Sequence, residues 1–152
     1  EVFYSYPNGK VQTKQHRIDN DGEQHWKTSS QKECVYDMMS IFLRARSFNP
    51  ASWKKGYVVD FPLIGGKTLL PARIIYNGKK TIKADNDKKY RCLELAYYEK
   101  EDGKWRNLAN FFVTDDDNHI PIRLDMNLKF GSAKAFLISM KGIRHKIASQ
   151  VN

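Results

Sequence analysis

Turn-forming residues recur at short intervals between residues 56 and 142, and this spacing constrains the fold more than any other feature of the sequence. Glycine, asparagine and aspartate tolerate the backbone angles of tight turns. They cluster at Gly65-Gly66, Asn77-Gly78, Asp85-Asn86-Asp87, Glu101-Asp102-Gly103, Asp115-Asp116-Asp117-Asn118 and Gly131. No helical pattern alternates with the segments between them, so a doubly wound α/β fold is not expected.

The segments between these turns predict strands at residues 57–61, 68–76, 80–84, 90–98, 105–114, 120–128 and 133–140. Strands joined by short turns are antiparallel. Apolar and polar residues alternate most clearly from Ile120 to Leu128, so one face of that strand should be buried. The predicted fold is mainly β: an antiparallel meander that forms a curved sheet or a partly open barrel with one α-helix.

The first 50 residues predict a hairpin followed by the helix. Asn8-Gly9 lies between two β-prone segments and should form a turn with positive φ at both residues. A polar loop is expected at residues 19–23, and Thr28, Ser29 and Ser30 are assigned to a loop. Asp37 should cap a helix of about 11 residues between positions 37 and 48, because an acidic residue accepts hydrogen bonds from free helical N–H groups.

Composition narrows the class of protein. The chain has 152 residues, with 26 Lys and Arg against 17 Asp and Glu, and its formal net charge is +9. A chain of this length buries roughly two-thirds of its unfolded surface, which is enough for a core in one domain, here residues 1–152. No apolar stretch approaches the roughly 20 residues that span a bilayer.

Several motifs together resemble a known family. They are Tyr36-Asp37-Met38-Met39-Ser40 before Leu43-Arg44-Ala45-Arg46, then Thr114-Asp115-Asp116 before Ile120-Pro121-Ile122-Arg123, and Gly131-Ser132-Ala133-Lys134. The chain is similar in their order and spacing to the domain-of-unknown-function 3108 family of exported bacterial envelope proteins. The resemblance implies the periplasm or envelope of a Gram-negative bacterium, and a C-terminal part of a longer domain whose first strands are missing. It makes Asp37, Asp115, Asp116, Pro121, Arg123 and Gly131 family-motif residues with structural roles.

The two cysteines, Cys34 and Cys92, are too few for a zinc site. From the residues alone they are either one disulfide or two buried thiols. The exported location implied by the resemblance adds weight to a disulfide between Cys34 and Cys92, because oxidising compartments preserve such bonds, and both alternatives stay open.

No catalytic, metal or cofactor motif stands out, and we expect a protein that is not an enzyme and needs no cofactor. The segment from Asp115 to His119 lacks the alternating ligands of a calcium loop, and a β-turn supported by Arg123 pairing with Asp115 or Asp116 is the simpler interpretation. A hydrolase would need two or more of His119, Asp116, Cys92 and His145 to converge in a cleft.

The basic residues could also indicate a nucleic-acid-binding β module. Lys79, Lys80, Lys83, Lys88 and Lys89 surround one predicted hairpin, and Lys141, Arg144, His145 and Lys146 form a basic end. Tyr90, Tyr97 and Tyr98 could stack on bases. The implied location argues against nucleic acid, and anionic lipid uses the same electrostatics.

Aromatic residues exceed what one sheet face usually needs: Trp53, Tyr57, Phe61, Tyr76, Trp105, Phe111, Phe112, Phe130 and Phe136. A curved sheet around a helix can enclose a cavity. The function hypothesis is therefore a non-enzymatic envelope protein that binds a lipidic or glycan ligand or a partner protein. Because a strand begins near Glu1, its unpaired edge predicts a homodimer.

Overall fold

The computed structural model describes residues 1–32, 34–65 and 68–151. Its strands are β1 (Val2–Ser5), β2 (Val11–Ile18), β3 (Gln24–Gln31), β4 (Val58–Gly65), β5 (Thr68–Lys83), β6 (Lys89–Glu101), β7 (Lys104–Thr114), β8 (Pro121–Leu128), β9 (Gly131–Phe136) and β10 (Gln150–Val151). The helix α1 (Met38–Ala45) lies between β3 and β4. The mainly antiparallel β prediction with one helix is confirmed, and among the described residues the strands do not close into a barrel.

The first three strands form a small antiparallel sheet in the order β1-β2-β3. Asn8 and Gly9 have φ values of 52° and 71°, as predicted for the first hairpin. The loop assignment of Thr28, Ser29 and Ser30 was wrong, because these residues lie in β3, where Ser29 Oγ is 2.7 Å from Thr13 Oγ1. Polar side chains on this strand obscured its period.

Helix α1 begins where the sequence predicted, with Asp37 as its cap. The Ser40 amide donates to Asp37 Oδ1 at 2.7 Å, and the Asp37 amide donates to Ser40 Oγ at 2.8 Å. The helix has 8 residues and ends at Ala45, short of the predicted end. The amides of Ser47 and Phe48 donate to carbonyls three residues earlier, which tightens the chain into turns after the helix.

Asp37 also ties the helix to the small sheet. The Tyr4 hydroxyl donates to Asp37 Oδ2 at 3.2 Å. Burial, together with the charge of Asp37, raises the pKa of Tyr4 to about 12. The hydroxyl is therefore protonated at neutral pH and remains a donor to the capping carboxylate.

The remaining strands form the main sheet in the order β4-β5-β6-β7-β8-β9, with β10 pairing against β6. The predicted turn at Asn77-Gly78 was wrong: both residues lie inside β5, where the pairing with β6 shifts between Tyr76 and Gly78. This shift is a β-bulge, and Gly78 accommodates it with a φ of 105°. The predicted turn at Gly65-Gly66 includes Gly66, which lies outside the described residues.

The β8–β9 hairpin agrees with the prediction at its ends. Pro121 starts β8, and Gly131 begins β9 with a φ of 97°. Along β8 the predicted alternation holds only in part, since Ile122 is fully buried, Leu124 is half-buried and Leu128 is 54% exposed. The outer end of the hairpin extends beyond the core.

The two faces of the main sheet carry separate hydrophobic cores. Successive side chains in a strand point to opposite faces, so Leu93 and Leu95 face the helix while Cys92 faces away from it. The helix-side core joins Ile41 to Ile74, Leu93, Leu95 and Tyr97. The opposite core joins Ile82, Tyr90, Cys92, Phe112 and Ile122, and Leu137, Met140 and Ile147 pack against it. Residues 137–149, here called the C-terminal segment, thus cover the second face.

Candidate ligand cavity

An apolar cavity of about 350 Å³ lies between α1 and the main sheet. The helix contributes Phe42, Leu43 and Ala45, and the sheet contributes most of the rest of the wall: Ile74, Leu95, Phe111, Val113, Pro121 and Leu124. The Phe42 and Phe111 rings meet edge to face with centroids 4.5 Å apart. The short helix covers the sheet without filling the space beneath it.

Two polar side chains, Arg46 and His119, stand among the apolar residues of the cavity wall. Arg46 Nη2 donates to the Asn118 carbonyl at 3.3 Å, and His119 Nδ1 lies 2.8 Å from the Arg46 carbonyl. These contacts join the end of α1 to the loop before β8. These polar contacts therefore connect the helical side of the cavity wall to its sheet side.

Of the aromatic residues singled out in the sequence, Phe111 lines this cavity. Trp53 packs on Tyr57 and Tyr76 with centroids 4.7 and 6.0 Å away, and Trp105 lies under the Arg73 guanidinium. Phe61 belongs to the helix-side core, Phe112 to the opposite core, and Phe130 and Phe136 are exposed. Sequence reasoning missed the helical side of the wall; its signal was the pattern of Phe42, Leu43 and Ala45 before Arg46.

The acidic loop before β8 forms a turn, as predicted, and its Asp115 and Asp116 carboxylates make contacts within the fold. Asp115 accepts from Lys79 Nζ at 2.8 Å and from Arg91 Nε at 2.6 Å. Burial raises the pKa of this carboxyl, but the hydrogen bonds and charges of Lys79 and Arg91 outweigh burial and lower it overall. Asp115 therefore stays ionised and joins β5 to β6.

The predicted partner of Arg123 was wrong. Its Nε and Nη2 donate to the two carboxylate oxygens of Asp125 at 2.7 and 2.6 Å. Residues two apart in a strand share a face, so Asp125 is the nearer acid, whereas Asp115 and Asp116 are occupied elsewhere.

Asp116 holds the C-terminal segment against the sheet. Its carboxylate accepts from Thr114 Oγ1 at 2.8 Å, Ser149 Oγ at 2.7 Å and the Ser149 amide at 3.2 Å. Burial raises the pKa of Asp116, and these hydrogen bonds, with one from the Asn118 amide, lower it below its usual value. Asn118 donates from Nδ2 to the His145 carbonyl and accepts from the His145 amide, both at 3.0 Å, and nothing in the sequence indicated these contacts.

Of the two alternatives for the cysteines, the structure has free thiols at Cys34 and Cys92. Cys92 is completely buried in the core beneath the C-terminal segment, whereas Cys34 is exposed near the small sheet. Burial, reinforced by the charges of Asp115 and Asp116, raises the pKa of Cys92 to about 12. This thiol is protonated and shielded, which removes it as a nucleophile.

The other hydrolase candidates lie around the same loop without forming a common cleft. The Asp116 oxygens are taken up by Thr114, Asn118 and Ser149. His119 lines the apolar cavity, and His145 lines a neighbouring cleft. The described residues include no group of three or more His, Cys, Asp or Glu side chains arranged to hold a metal ion.

Two of the three tyrosines predicted to stack on bases, Tyr90 and Tyr97, are buried in the cores of the main sheet. Tyr90 and Tyr97 are each 1% exposed, and the Tyr97 hydroxyl donates to Glu99. In the predicted basic hairpin, Lys79 pairs with Asp115 and Lys83 pairs with Asp87. The sequence could not show the burial of these tyrosines, because the faces of the sheet are known only once the strands are arranged.

Comparison with known proteins places the chain without naming an activity. A family model described as "Protein of unknown function (DUF3108)" matches residues 1–138. Neither a curated protein nor a solved structure matches the chain. Within the described residues, no helix has the length and apolar character needed to cross a bilayer.

Proposed function

We propose, from the premise that this chain belongs to the DUF3108 family, that it is a non-enzymatic protein that binds the apolar part of a lipid-class ligand beneath α1. The family description assigns no activity, so the proposal rests on the chain's own geometry. The single observation that carries it is the apolar cavity of about 350 Å³.

The size of the cavity supports a ligand rather than a packing defect. Small-molecule pockets usually measure about 300–1,000 Å³. The cavity falls at the lower end of that range, which suits one acyl chain better than two.

The chemistry of the wall favours a lipid over a glycan. Each CH₂ group transferred from water to such an environment contributes about 0.8 kcal/mol. A glycan would have to bury hydroxyl groups against Ile74, Leu95 and Val113, which offer no hydrogen-bonding side chains. The apolar part of the ligand is therefore a hydrocarbon chain.

Filling the cavity from inside tests the proposal. Displacement of a fluorescent fatty-acid probe by lauric acid measures binding to the delipidated protein. Ala45→Phe places a ring into the cavity and should weaken laurate binding by about tenfold or more. Ala135→Phe, on the exposed part of β9, is the matched control and should bind as the wild type does. The proposal would be refuted if the wild type and both variants bound laurate equally, or if the wild type bound no laurate below the micellar concentration of laurate.

The envelope location is part of the same proposal and comes from the family resemblance. Periplasmic extraction of cells that produce the native protein should release it with the soluble envelope fraction. Recovery from the cytoplasm alone would contradict this location.

A homodimer through the N-terminal strand remains a prediction. β1 is an edge strand of the small sheet, pairing on one side with β2. Open edges favour pairing with another chain. Sedimentation equilibrium should detect a dimer that Tyr4→Pro weakens, since proline removes a backbone donor from this edge strand. A concentration-independent monomer would refute it.

A further inference from the structure

A second cleft, of about 680 Å³, opens beside the apolar cavity. The two share Leu43, Arg46 and Pro121 in their walls. The outer wall of this cleft is the C-terminal segment from Ser139 to His145. A ligand chain seated beneath α1 would therefore end at a cleft whose wall is polar.

The charge of this cleft is mainly positive. Arg46, Lys141 and Arg144 line it, with Asp117 as the acidic residue of the wall. In the part of the chain that the structure describes, these three basic side chains have no carboxylate partner within ion-pair distance. Some basic residues of the main sheet are paired instead: Lys79 and Arg91 pair with Asp115, and Arg123 pairs with Asp125.

One end of the basic wall, at His145 and Lys146, is hydrogen-bonded to the loop before β8. The buried Asn118 side chain makes two hydrogen bonds with the backbone of His145 and a longer one, 3.4 Å, to the Lys146 carbonyl. Arg46 donates to the carbonyl of the same Asn118. The end of α1 and the basic wall are thus connected through one residue, and less ordering is needed when an anion binds.

We propose that the ligand is a single-chain amphiphile whose anionic group, a phosphate or carboxylate, lies in this basic cleft while its chain occupies the apolar cavity. The inference rests on the proposed function, because it assigns the headgroup of the same ligand. Arginine and lysine are the usual partners of phosphate and carboxylate groups.

Ligands that differ only in the headgroup test the inference. Lauryl phosphate, lauric acid, lauryl alcohol and inorganic phosphate are titrated below micellar concentrations by displacement of a neutral fluorescent probe and by calorimetry. Lauryl phosphate should bind about tenfold more tightly than lauryl alcohol at low salt, and added salt should narrow the difference.

Matched charge variants locate the effect. Lys141→Gln with Arg144→Gln should remove most of the preference for lauryl phosphate over lauryl alcohol. Lys104→Gln with Lys129→Gln removes the same charge from exposed positions outside both clefts and should keep the preference. Thermal unfolding of each variant checks that it is folded.

The outcomes separate the two proposals. Equal affinity for lauryl phosphate and lauryl alcohol would overturn the headgroup inference and leave the lipid-binding function standing. Inorganic phosphate binding as tightly as lauryl phosphate would make the cleft a free-phosphate site and also overturn it. If none of lauryl phosphate, lauric acid and lauryl alcohol bound, the proposed function itself would be refuted.

Discussion

The two faces of the main sheet are covered in different ways. The 8-residue helix α1 covers one face and leaves a cavity of about 350 Å³. The C-terminal segment covers the other, where Cys92 and Ile122 are completely buried and Asp116 and Asn118 fasten the covering chain. Both faces carry a buried core; the open face, beneath α1, also leaves room for a ligand, and the closed face, beneath the C-terminal segment, is fastened by hydrogen bonds.

The largest expected effect comes from opening the closed face. Ile122→Ala removes a fully buried side chain and should lower the free energy of unfolding by about 3–4 kcal/mol. Leu43→Ala, on the open face, removes a side chain that is 67% exposed and should change it by less than about 0.5 kcal/mol. Urea denaturation of the ligand-free proteins measures both, and equal losses would contradict the comparison.

Removing the fastening should have the next largest effect. Asp116→Ala leaves the buried hydroxyls of Thr114 and Ser149 without their acceptor and should lower the free energy of unfolding by about 2–3 kcal/mol. Asp117→Ala, at the exposed neighbouring position, is the control and should stay within about 0.5 kcal/mol of the wild type. If Asp116→Ala left the free energy of unfolding unchanged, the C-terminal segment would be held by packing alone.

Acid should weaken the closed face through the same carboxylate. Because the pKa of Asp116 is lower in the folded protein than in the unfolded chain, its contribution is complete above the unfolded value of about 3.9. That contribution is lost as the pH falls through the folded pKa. The Asp116→Ala variant still carries the carboxylates of Asp115 and Asp87. The urea midpoint of the wild type should therefore drop more between pH 7 and pH 3 than the urea midpoint of this variant. An equal drop in both proteins would exclude Asp116 as a source.

Thiol labelling should disturb the fold least, and it reports directly whether the closed face is shielded from solvent. Cys34 is exposed and should react with an aromatic disulfide reagent in the native protein, whereas Cys92 should react only after unfolding. Cys34→Ser should then show no reaction until denaturant is added. A native wild type in which neither thiol reacts would instead support the disulfide.

The sequence predicted those parts of the fold that depend on local chemistry. Asp37 caps the helix and Asn8-Gly9 adopts positive φ, because each depends on a few neighbouring backbone groups. The same dipeptide at Asn77-Gly78 forms a bulge instead, since strand β6 continues alongside it and supplies partners on both sides. A dipeptide permits a conformation, and the adjacent strand decides whether the chain reverses there.

The candidate cavity could be predicted only as a general expectation. The sequence indicated excess aromatic residues, but Phe42 and Phe111 meet only when α1 lies across the sheet. Asn118 gave no signal beyond its place in a turn, because its partners at His145 and Lys146 are 27 and 28 residues away. Contacts at that separation depend on the order of strands, which the pattern of turns does not specify.

Because of the bulge at Asn77, even-numbered residues point to opposite faces of the sheet before and after it. Ala72, Ile74 and Tyr76 belong to the helix-side core, yet Ile82 and Ala84, also even-numbered, belong to the opposite core. The extra residue at the bulge shifts the alternation of side chains by one position, so the first half of β5 contributes to one core and the second half to the other. Deleting Asn77 would restore a single frame and turn Ile82 towards the helix side, leaving the closed face without part of its core.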